Sequence, residues 1–489
     1  MTKEFNYKLV LRVMGSLALV ESALLLATCL IPLIYGENDA HYFLIASLIS
    51  LAFSGTALLI GKNPPTNIGK REGSVIVTFT WLLFTVIGLL PFYMSGSIPL
   101  YADAFFETIS GFTTTGASIL NNIEELSHGM LFWRSLTHWI GGLGIIVISL
   151  AILPVFSTSG TQLFGSETTG PTKDKIHPKI NETAKRLFLI YIILTVSETI
   201  LLLFGGMSLF DAVNHSFATV ATGGFSTKQA SVGYWDSAYI QYIISIFMIL
   251  SGINFSLYYF GFKNKFEKIR ENEELRYYII VLFFFITIVA LSLIDFSKPF
   301  SFWGIENAWR DSMFTVSSLM TTTGFVTADY MYWQPLTWVI LIIVMLTGAS
   351  AGSTSGGIKM IRVVISGKAC YYEFKRLIHP NAIIPIRYNG HTVREDILTR
   401  VLAFTLLYLV IAGFGILVLA ISGMGFMESV GGMVTCLGGV GPGFGLVGPA
   451  GNFSAIPEFS KWFLSLMMLA GRLELYTVFL LFTPAFWKR

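Results

Sequence analysis

Four short clusters of Thr and Gly recur along the chain and carry oxygen atoms suited to binding a monovalent cation. The residues that could line such a site are Thr114, Thr115, Gly116, Thr222, Gly223, Gly224, Thr322, Thr323, Gly324, Gly439, Val440 and Gly441. Rings of backbone carbonyls and Thr hydroxyls can replace part of the hydration shell of such an ion. Glycine permits the backbone conformations that a tight ring requires. We therefore interpret the clusters as four parts of one ion-selectivity filter.

The spacing of these clusters indicates an internal fourfold repeat. Their last glycines, at positions 116, 224, 324 and 441, are 108, 100 and 117 residues apart. An acidic residue stands 13 residues before each of these glycines, and the four acids are Asp103, Asp211, Asp311 and Glu428. Each acid is placed to cap the N-terminus of a helix of roughly ten residues, where a negative charge is favourable. The two markers agree in all four segments, which predicts four equivalent structural units.

Long apolar segments surround the clusters and must position them. The almost uncharged runs cover residues 10–34, 42–60, 75–94, 142–156, 187–204, 240–262, 277–294, 338–346, 401–421 and 462–482. A helix of about 20 apolar residues crosses the hydrocarbon core of a membrane. Each repeat therefore predicts a spanning helix, a half-length re-entrant helix, a Thr/Gly turn and a second spanning helix. The partially negative C-terminus of the half-length helix favours a cation at the turn.

Composition agrees with an integral membrane protein and excludes other classes. The 489 residues are 54% hydrophobic and 12% charged, and a net charge of +3 is too small for nucleic-acid binding. A soluble protein with many buried helices is the alternative, but its amphipathic helices would show polar faces. Most of the 32 Lys and Arg lie in alternate connections. The positive-inside rule then places both termini in the cytoplasm and the turns on the outer side of the membrane.

The second spanning helix of repeat three is interrupted by ten small residues, 348–357. The residues expected to matter most in it are Gly348, Gly352, Ser353, Gly356 and Gly357. A rigid helix is unfavourable here because each interior Gly costs about 1 kcal/mol relative to Ala. We expect an intramembrane loop on the inner side of the turns, where it would obstruct the ion pathway and serve as a gate. A simple packed kink is the alternative.

Arg472 is a fixed positive charge within the apolar run 462–482. An Arg at mid-membrane costs roughly 2.5–3.5 kcal/mol on insertion scales, so its side chain requires a polar environment. We expect it to face the pore below the turns, where it would repel cations and bond the intramembrane loop. A pair with a carboxylate such as Glu474 is the alternative.

Two glycine-rich segments imitate nucleotide-binding motifs without the required context. Residues 443–448 spell GxGxxG but follow a Thr/Gly turn, and residues 352–359 lack the Gly-Lys-Ser/Thr ending of a phosphate loop. We therefore expect that this chain binds no nucleotide by itself and is not an enzyme. Close helix packing by small residues is the rival interpretation of the turns. It accounts for a single cluster more readily than for four in matching register.

The motifs resemble those of the TrkH/TrkG membrane subunits of bacterial Trk potassium uptake systems, within the Trk/Ktr/HKT superfamily of cation transporters. The similarity extends over essentially the whole chain and is most specific at residues 103–107, 113–116, 215–219, 223–226, 352–354, 375–382, 441–443, 471–474 and 482–484. It implies an all-α integral membrane fold with four pseudo-symmetric M1–P–M2 repeats around one central pore. By similarity, the four last glycines are filter glycines, residues 348–357 form the gate loop and Arg472 is the pore arginine.

The resemblance also implies a division of the chain, a function and partners. Residues 1–62 would form two extra N-terminal transmembrane helices, and the repeats would cover 73–170, 184–266, 275–380 and 397–489. The expected function is K+ uptake across the bacterial inner membrane through a gated filter driven by the membrane potential. A secondary symporter that couples K+ to H+ or Na+ is the alternative. The expected partners are K+ bound in the filter, membrane lipid, a second copy in a homodimer, and a cytosolic TrkA-type ring of nucleotide-binding RCK domains.

Overall fold

The chain folds almost entirely into helices in a computed structural model that describes residues 5–63, 69–152, 180–294, 301–382 and 384–487. Within these ranges, six helices are long and apolar enough to cross a membrane. Two bent pairs of helices meet the same criterion only when each pair is taken together. The expected end of repeat one at residue 170 lies outside the described residues.

Two antiparallel segments precede the repeats, and they consist of Tyr7–Thr28 with its extension Leu30–Tyr35, and Ala40–Ile60. A seam of serines joins them. The Ser50 hydroxyl donates to the carbonyl of Ala18 at 2.8 Å, and the Ser54 hydroxyl donates to the carbonyl of Gly15 at 2.7 Å. Lipid offers no hydrophobic driving force between helices, so small polar residues of this kind hold membrane helices together.

Each repeat has the predicted order of spanning helix, pore helix (the half-length helix before the turn) and second spanning helix. In repeat one these are Lys70–Gly88 with the extension Leu90–Met94, Tyr101–Phe112 and His128–Ile152. In repeat two they are Ile180–Phe204, Leu209–Val220, and Ala238–Ser251 followed by Phe255–Phe262. In repeat three they are Glu273–Leu293, Phe302–Met320, and Pro335–Thr347 followed by Met360–Ile378. In repeat four they are Glu395–Ile421, Phe426–Gly438, and Glu458–Arg472 followed by Leu475–Phe479.

The remaining elements are short. A 3-10 helix follows each turn, at Ile123–Glu125, Ser231–Tyr234, Tyr330–Tyr332 and Gly445–Val447. The other short helices are Phe266–Arg270, Leu480–Phe482 and Pro484–Trp487. The strands Arg387–Tyr388 and His391–Thr392 pair in an antiparallel hairpin. Asn389 and Gly390 at its tip both have positive φ, as a two-residue hairpin turn requires.

The pore helices form a closed ring. Each of them packs against both spanning helices of its own repeat and against the second spanning helix of the preceding repeat. The pore helix of repeat one makes the latter contact with Glu458–Arg472 of repeat four, which closes the ring. The C-termini of all four pore helices are buried. The Thr/Gly turns that follow them therefore meet at the centre of the molecule.

Two apolar runs predicted to be single spanning helices are instead sharply bent. The run 240–262 turns by 93° between Ser251 and Phe255, where the Asn254 side chain accepts a hydrogen bond from the amide of Ser256 and starts a new helix. The run 462–482 turns by 119° after Arg472, where Glu474 has a left-handed φ of 63°. Apolar composition alone could not show these breaks, because a bent segment buried in protein is as apolar as a straight one.

Candidate functional site

The four Thr/Gly turns share one backbone conformation. Each last glycine has a positive φ, with values of 80° at Gly116, 79° at Gly224, 81° at Gly324 and 103° at Gly441. The residue two positions earlier is also left-handed in every repeat, namely Thr114 at 51°, Thr222 at 54°, Thr322 at 57° and Gly439 at 69°. The alignment of the four clusters that the sequence predicts therefore agrees with their backbone conformations in the structure.

A common hydrogen bond ends each pore helix. The amide one position before the last glycine donates to the carbonyl five residues earlier, over 2.8–2.9 Å. The four bonds run from Thr115 to Ser110, from Gly223 to Ala218, from Thr323 to Ser318 and from Val440 to Thr435. This is the 6→1 bond of a Schellman helix end, whose left-handed residue is usually Gly. Here three repeats place Thr in that position.

These threonines were not anticipated as strained. A β-branched residue with positive φ is a genuine outlier, and such strain costs about 1–3 kcal/mol at each position. The strain at Thr114, Thr222 and Thr322 persists because the surrounding ring holds the turn. Strain of this kind concentrates at functional sites.

Contacts between the turns close a second ring inside the ring of pore helices. A Cβ atom built on Gly116 would collide with the carbonyl oxygen of Gly223 in the next repeat. The same relation holds between Gly224 and Thr323 and between Gly324 and Val440, and a Cβ on Gly441 would lie 2.9 Å from the carbonyl oxygen of Thr115. Each last glycine thus faces the carbonyl that precedes the last glycine of the following repeat. Four backbones approach one axis closely, and only glycine fits at the four contacts.

The oxygen atoms of the ring are not distributed equally among the repeats. In repeat one the Thr113 and Thr115 hydroxyls are 2.9 Å apart, and in repeat three those of Thr321 and Thr323 are 2.8 Å apart. Repeats two and four have no hydroxyl at these two positions. Because repeats one and three lie opposite each other, the ring has twofold rather than fourfold chemistry. The carbonyl and hydroxyl oxygens of the turns are the candidate ligands for a monovalent cation.

A pocket that is open to solvent adjoins the ring on one side. All four last glycines line it, together with residues that follow the turns, such as Ser118, Ser226 and Asn452. Arg134 and Lys228 are also among the residues that line it. This arrangement is that of a vestibule leading to the turns.

Three of the four predicted pore-helix acids occupy the same position in their helices. Asp103, Asp211 and Glu428 are each the third residue of their pore helices, in the first turn, where the helix dipole favours them. Asp103 pairs with Lys461 at 2.6 Å, Asp211 accepts a hydrogen bond from Thr227 at 2.6 Å, and Glu428 accepts one from the amide of Leu446 at 3.2 Å. All three tie the start of a pore helix to another segment.

The prediction was wrong for Asp311. The pore helix of repeat three begins at Phe302, with Ser301 as its N-cap, so Asp311 lies in the middle of a helix of 19 residues. Compared with the other three pore helices, this helix has an additional segment, residues 302–308, of about two turns. Its first side chains, Phe302 and Trp303, are exposed. The constant spacing from the turn therefore reflects the buried half of the helix rather than its N-terminus.

The intramembrane loop, residues 348–357, lies directly against the turns. The Thr354 hydroxyl donates to the carbonyl of Val220 at 3.0 Å, and the amide of Gly356 donates to the hydroxyl of Thr322 at 2.7 Å. A Cβ on Gly356 would also collide with the carbonyl of Gly438. The loop thus contacts three repeats at the ends of their pore helices.

The conformation of the loop explains its composition. Gly348, Gly352 and Gly357 have φ values of 68°, 75° and 77°, which disfavour other residues. Ser353 is fully buried, and its hydroxyl donates to the carbonyl of Ser350 at 2.6 Å. The segment is therefore an ordered loop, not the simple kink that was the alternative.

The loop also docks on the bend in the second spanning helix of repeat two. The amide of Ser350 donates to the carbonyl of Gly252 at 3.0 Å, and the amide of Phe255 donates to the carbonyl of Gly352 at 3.1 Å. Backbone groups freed by the two helix breaks thus satisfy each other, as non-helical backbone within a membrane must. Neither break is an isolated defect.

Arg472 is the last residue of its helix and reaches the loop. Its Nη1 atom donates to the carbonyl of Thr354 at 2.6 Å, and Nη2 donates to the carbonyl of Gly141 at 3.3 Å. The alternative pair with Glu474 does not form, because Glu474 binds Arg362 through two contacts of 2.9 Å. The guanidinium therefore links repeat four, the loop and repeat one on the side of the turns opposite the vestibule.

Comparisons with known proteins agree with this arrangement. The model of the TrkH family, described as a cation transport protein, matches residues 40–489. The Trk system potassium uptake protein TrkH of Escherichia coli strain K12 is 38% identical over 486 residues, covering 99% of this chain and all of that protein. TrkG of the same organism is 32% identical over 486 residues, covering 99% of each chain.

A solved structure is similar over the same length. The crystal structure of the potassium transporter TrkH from Vibrio parahaemolyticus superimposes with a TM-score of 0.90 at 32% identity, covering 99% of this chain and all of that one. The four M1–P–M2 repeats and the two extra N-terminal helices are thus those of an established all-α membrane fold. On the family match and the full-length identity, this chain belongs to the TrkH family of cation transport proteins.

Proposed function

We propose that this chain is the ion-translocating subunit of a Trk-type system that takes up K+ across the bacterial inner membrane. The observation that carries the proposal is the closed ring of four Thr/Gly turns, in which each last glycine abuts a carbonyl of the next repeat. A ring of this kind can exchange carbonyl and hydroxyl oxygens for the hydration shell of a monovalent cation. The relatives named as Trk system potassium uptake proteins support K+ as the ion. Membership of this family supports membrane transport as the activity of the chain.

The membrane potential suffices as the driving force. A potential of 100 mV is worth about 2.3 kcal/mol per charge, which accumulates a monovalent cation roughly 50-fold. No coupled ion is required. We place both termini in the cytoplasm and the vestibule on the periplasmic side, following the distribution of Lys and Arg.

The intramembrane loop is our candidate for the gate. Its contacts with Val220, Thr322 and Arg472 hold it against the ring on the side opposite the vestibule. In this position the loop would obstruct the path of an ion that leaves the ring. Displacement of the loop would open the path. We further propose that a homodimer is the membrane unit and that a cytosolic TrkA-type ring of nucleotide-binding RCK domains controls the loop. This chain itself would bind K+ and no nucleotide.

Removing the Thr322 hydroxyl should favour the open gate. Thr322→Val keeps the β-branched shape but removes the acceptor for the amide of Gly356. A hydrogen bond contributes about 0.5–1.5 kcal/mol net, so Rb+ flux through the purified protein should rise by roughly 2- to 10-fold. Thr222→Val is the matched control, because Thr222 is equivalent in the ring but its hydroxyl donates to the carbonyl of Ala221. Equal flux changes in both variants would contradict the role of this contact.

Flux measurements test the proposed function itself. The purified full-length chain is reconstituted in liposomes, and Rb+ uptake is followed under a set potential without H+ or Na+ gradients. We expect uptake that follows the potential and that K+ suppresses more strongly than Na+ or Li+. The measurement is repeated with an added H+ or Na+ gradient and with the cytosolic ring present.

The outcomes distinguish the candidate functions. Uptake that appears only with an H+ or Na+ gradient would replace the channel-like pathway by a symporter. Uptake that appears only with the cytosolic ring would retain the pathway and assign its opening to the partner. Uptake of Na+ equal to that of K+ in every condition would refute a K+-selective filter.

A further inference from the structure

The vestibule side of repeats one and two contains a completely buried ion pair. Arg134 Nε lies 2.6 Å from Glu107 Oε1, and the two side chains are 3% and 0% exposed. Glu107 belongs to the pore helix of repeat one, and Arg134 belongs to the second spanning helix of the same repeat. Removing two charges from water is unfavourable, so a buried ion pair is weak evidence for a role in stability. The hydrogen bonds of Glu107 and Arg134 to the segments after the turns indicate another role.

Glu107 fastens the segment that follows the first turn. Its Oε1 atom accepts a hydrogen bond from the Ser118 hydroxyl at 3.0 Å, and its Oε2 atom accepts one from the amide of Ile119 at 2.9 Å. Ser118 is only two residues beyond Gly116. The carboxylate therefore fixes the position at which the chain of repeat one leaves the ring.

Arg134 extends from this carboxylate to the next repeat. Its Nη1 atom donates to the carbonyl of Ser226 at 2.9 Å, and the guanidinium carbon lies 3.6 Å from the centre of the Phe225 ring. Phe225 and Ser226 directly follow Gly224, the last glycine of the second turn. One guanidinium thus binds the exit segments of two neighbouring turns.

The same helix continues this support along the back of both turns. One helical turn after Arg134, His138 Nδ1 donates to the carbonyl of Gly111, and its ring stacks on Phe225 with centres 4.0 Å apart. A Cβ on Gly223 would collide with the His138 ring, so the ring is in direct contact with the second turn. Arg134 and His138 therefore lie between the first two repeats and contact both of them.

The other junctions around the ring have different chemistry. The His215 ring lies 5.5 Å from that of Phe325 between repeats two and three, and the Tyr330 hydroxyl donates to the carbonyl of Gly443 at 2.7 Å between repeats three and four. The amide of Phe453 donates to the carbonyl of Ser118 at 2.8 Å between repeats four and one. The junction between repeats four and one also contains the Lys461–Asp103 ion pair at 2.6 Å. The first junction differs in that its guanidinium binds the segment directly after the second turn and pairs with the carboxylate that holds the segment directly after the first.

We infer that Arg134 is a positioning residue that fixes the distance between the first and second turns and so contributes to the selection of K+ over Na+. The inference rests on the proposed function, because it assigns selectivity to the ring. Discrimination between ions of similar charge depends on the number and arrangement of the oxygens around them. If the two turns could separate, their oxygens would accommodate a smaller or partly hydrated ion as readily as K+. Arg134 itself touches no ion in this scheme.

Conservative variants separate positioning from folding. Arg134→Lys keeps a positive charge beside Glu107 but loses the planar fork that reaches Ser226 and stacks on Phe225. The double variant Glu107→Gln with Arg134→Gln leaves no unpaired charge. Phe225→Leu removes the ring beneath the guanidinium and changes no charge. Arg310→Gln is the control, because the hydrogen bonds of Arg310 run to Glu306 and Asn307 of its own helix.

The measured quantity is the ratio of Na+ to Rb+ permeability in liposomes. Only variants that elute at the same volume as the parent protein in size-exclusion chromatography are compared. We expect the ratio to rise at least tenfold in Arg134→Lys and in the double variant, and at least threefold in Phe225→Leu. Arg310→Gln should leave it unchanged. Total flux alone does not test the inference, because a loss of folded protein lowers the flux without altering the permeability ratio.

A filter variant separates failure of this inference from failure of the proposed function. If Gly224→Ala changes the ratio while Arg134→Lys, the double variant and Phe225→Leu all retain the parent value, the positioning role is overturned and the filter stands. If Gly224→Ala also retains the parent ratio, the turns do not select the ion, and the inference fails together with the filter.

Discussion

Alanine at Gly224 is expected to reduce Rb+ uptake at least tenfold. Its Cβ would collide with the carbonyl oxygen of Thr323, which is a backbone atom that cannot rotate away. Its φ of 79° adds a further cost of about 1–2 kcal/mol for any L-residue with a side chain. The second and third turns must then separate or the second turn must refold locally. Either change removes oxygens from their places in the ring.

Gly413→Ala provides the matched control for this substitution. Gly413 lies within the helix Glu395–Ile421, and an added Cβ would meet no atom within 4 Å. Alanine should even stabilise that helix by about 1 kcal/mol. Both variants are measured as Rb+ flux into liposomes and as the concentration of Na+ that inhibits it. Parent-like uptake by Gly224→Ala would show that the close approach of the turns is dispensable for transport.

Much of the ring could be predicted because it depends on local backbone requirements. Left-handed residues at a close approach demand glycine, so Gly116, Gly224, Gly324 and Gly441 recur at a readable spacing. The interrupted helix before Met360 was also predictable, since ten small residues cannot form a rigid span. In both cases the residue type itself indicates the backbone conformation: glycine indicates a left-handed residue, and a run of small residues indicates a break in a helix.

The positions that escaped prediction depend on partners distant in sequence. Threonine has no intrinsic preference for the left-handed conformation, so the strain at Thr114, Thr222 and Thr322 arises from the ring as a whole. The spacing of Asp311 matched the other acids, yet nothing in that spacing reported that its helix begins nine residues earlier. An acid at a constant distance from the turn shows how the repeats align with one another. It does not show at which residue a helix begins.

Arg134 could have been identified from its sequence context alone. It is an arginine near an apolar run, and a charge in that setting requires a polar partner. Its partner Glu107 lies 27 residues earlier in the pore helix and was visible as part of the motif after Asp103. The pairing itself needs three dimensions, because the two residues belong to different helices that meet only after the repeat has folded.

Replacing Arg472 should accelerate ion flux through the purified protein. Arg472 donates to Thr354 of the loop and to Gly141, so its guanidinium lies on the side of the ring opposite the vestibule. At an effective dielectric constant of about 20, a unit charge about 8 Å away raises the energy of a passing cation by about 2 kcal/mol. Arg472→Gln removes this charge and weakens the link to the loop. We expect Rb+ flux to rise roughly 30-fold if repulsion is the larger barrier.

Arg472→Lys separates the two contributions. Lysine retains the charge, but its single ammonium cannot reproduce the planar fork that spans two carbonyls. If the Rb+ flux of Arg472→Lys is close to that of the parent while Arg472→Gln is faster, the barrier is due to the charge. If both variants are accelerated equally, the barrier is due to the link with Thr354. Arg310→Gln again serves as the control for loss of an arginine elsewhere. Flux in Arg472→Gln equal to or below that of the parent would contradict both contributions, because neither a repelling charge nor a bond that holds the loop closed can be removed without easing passage.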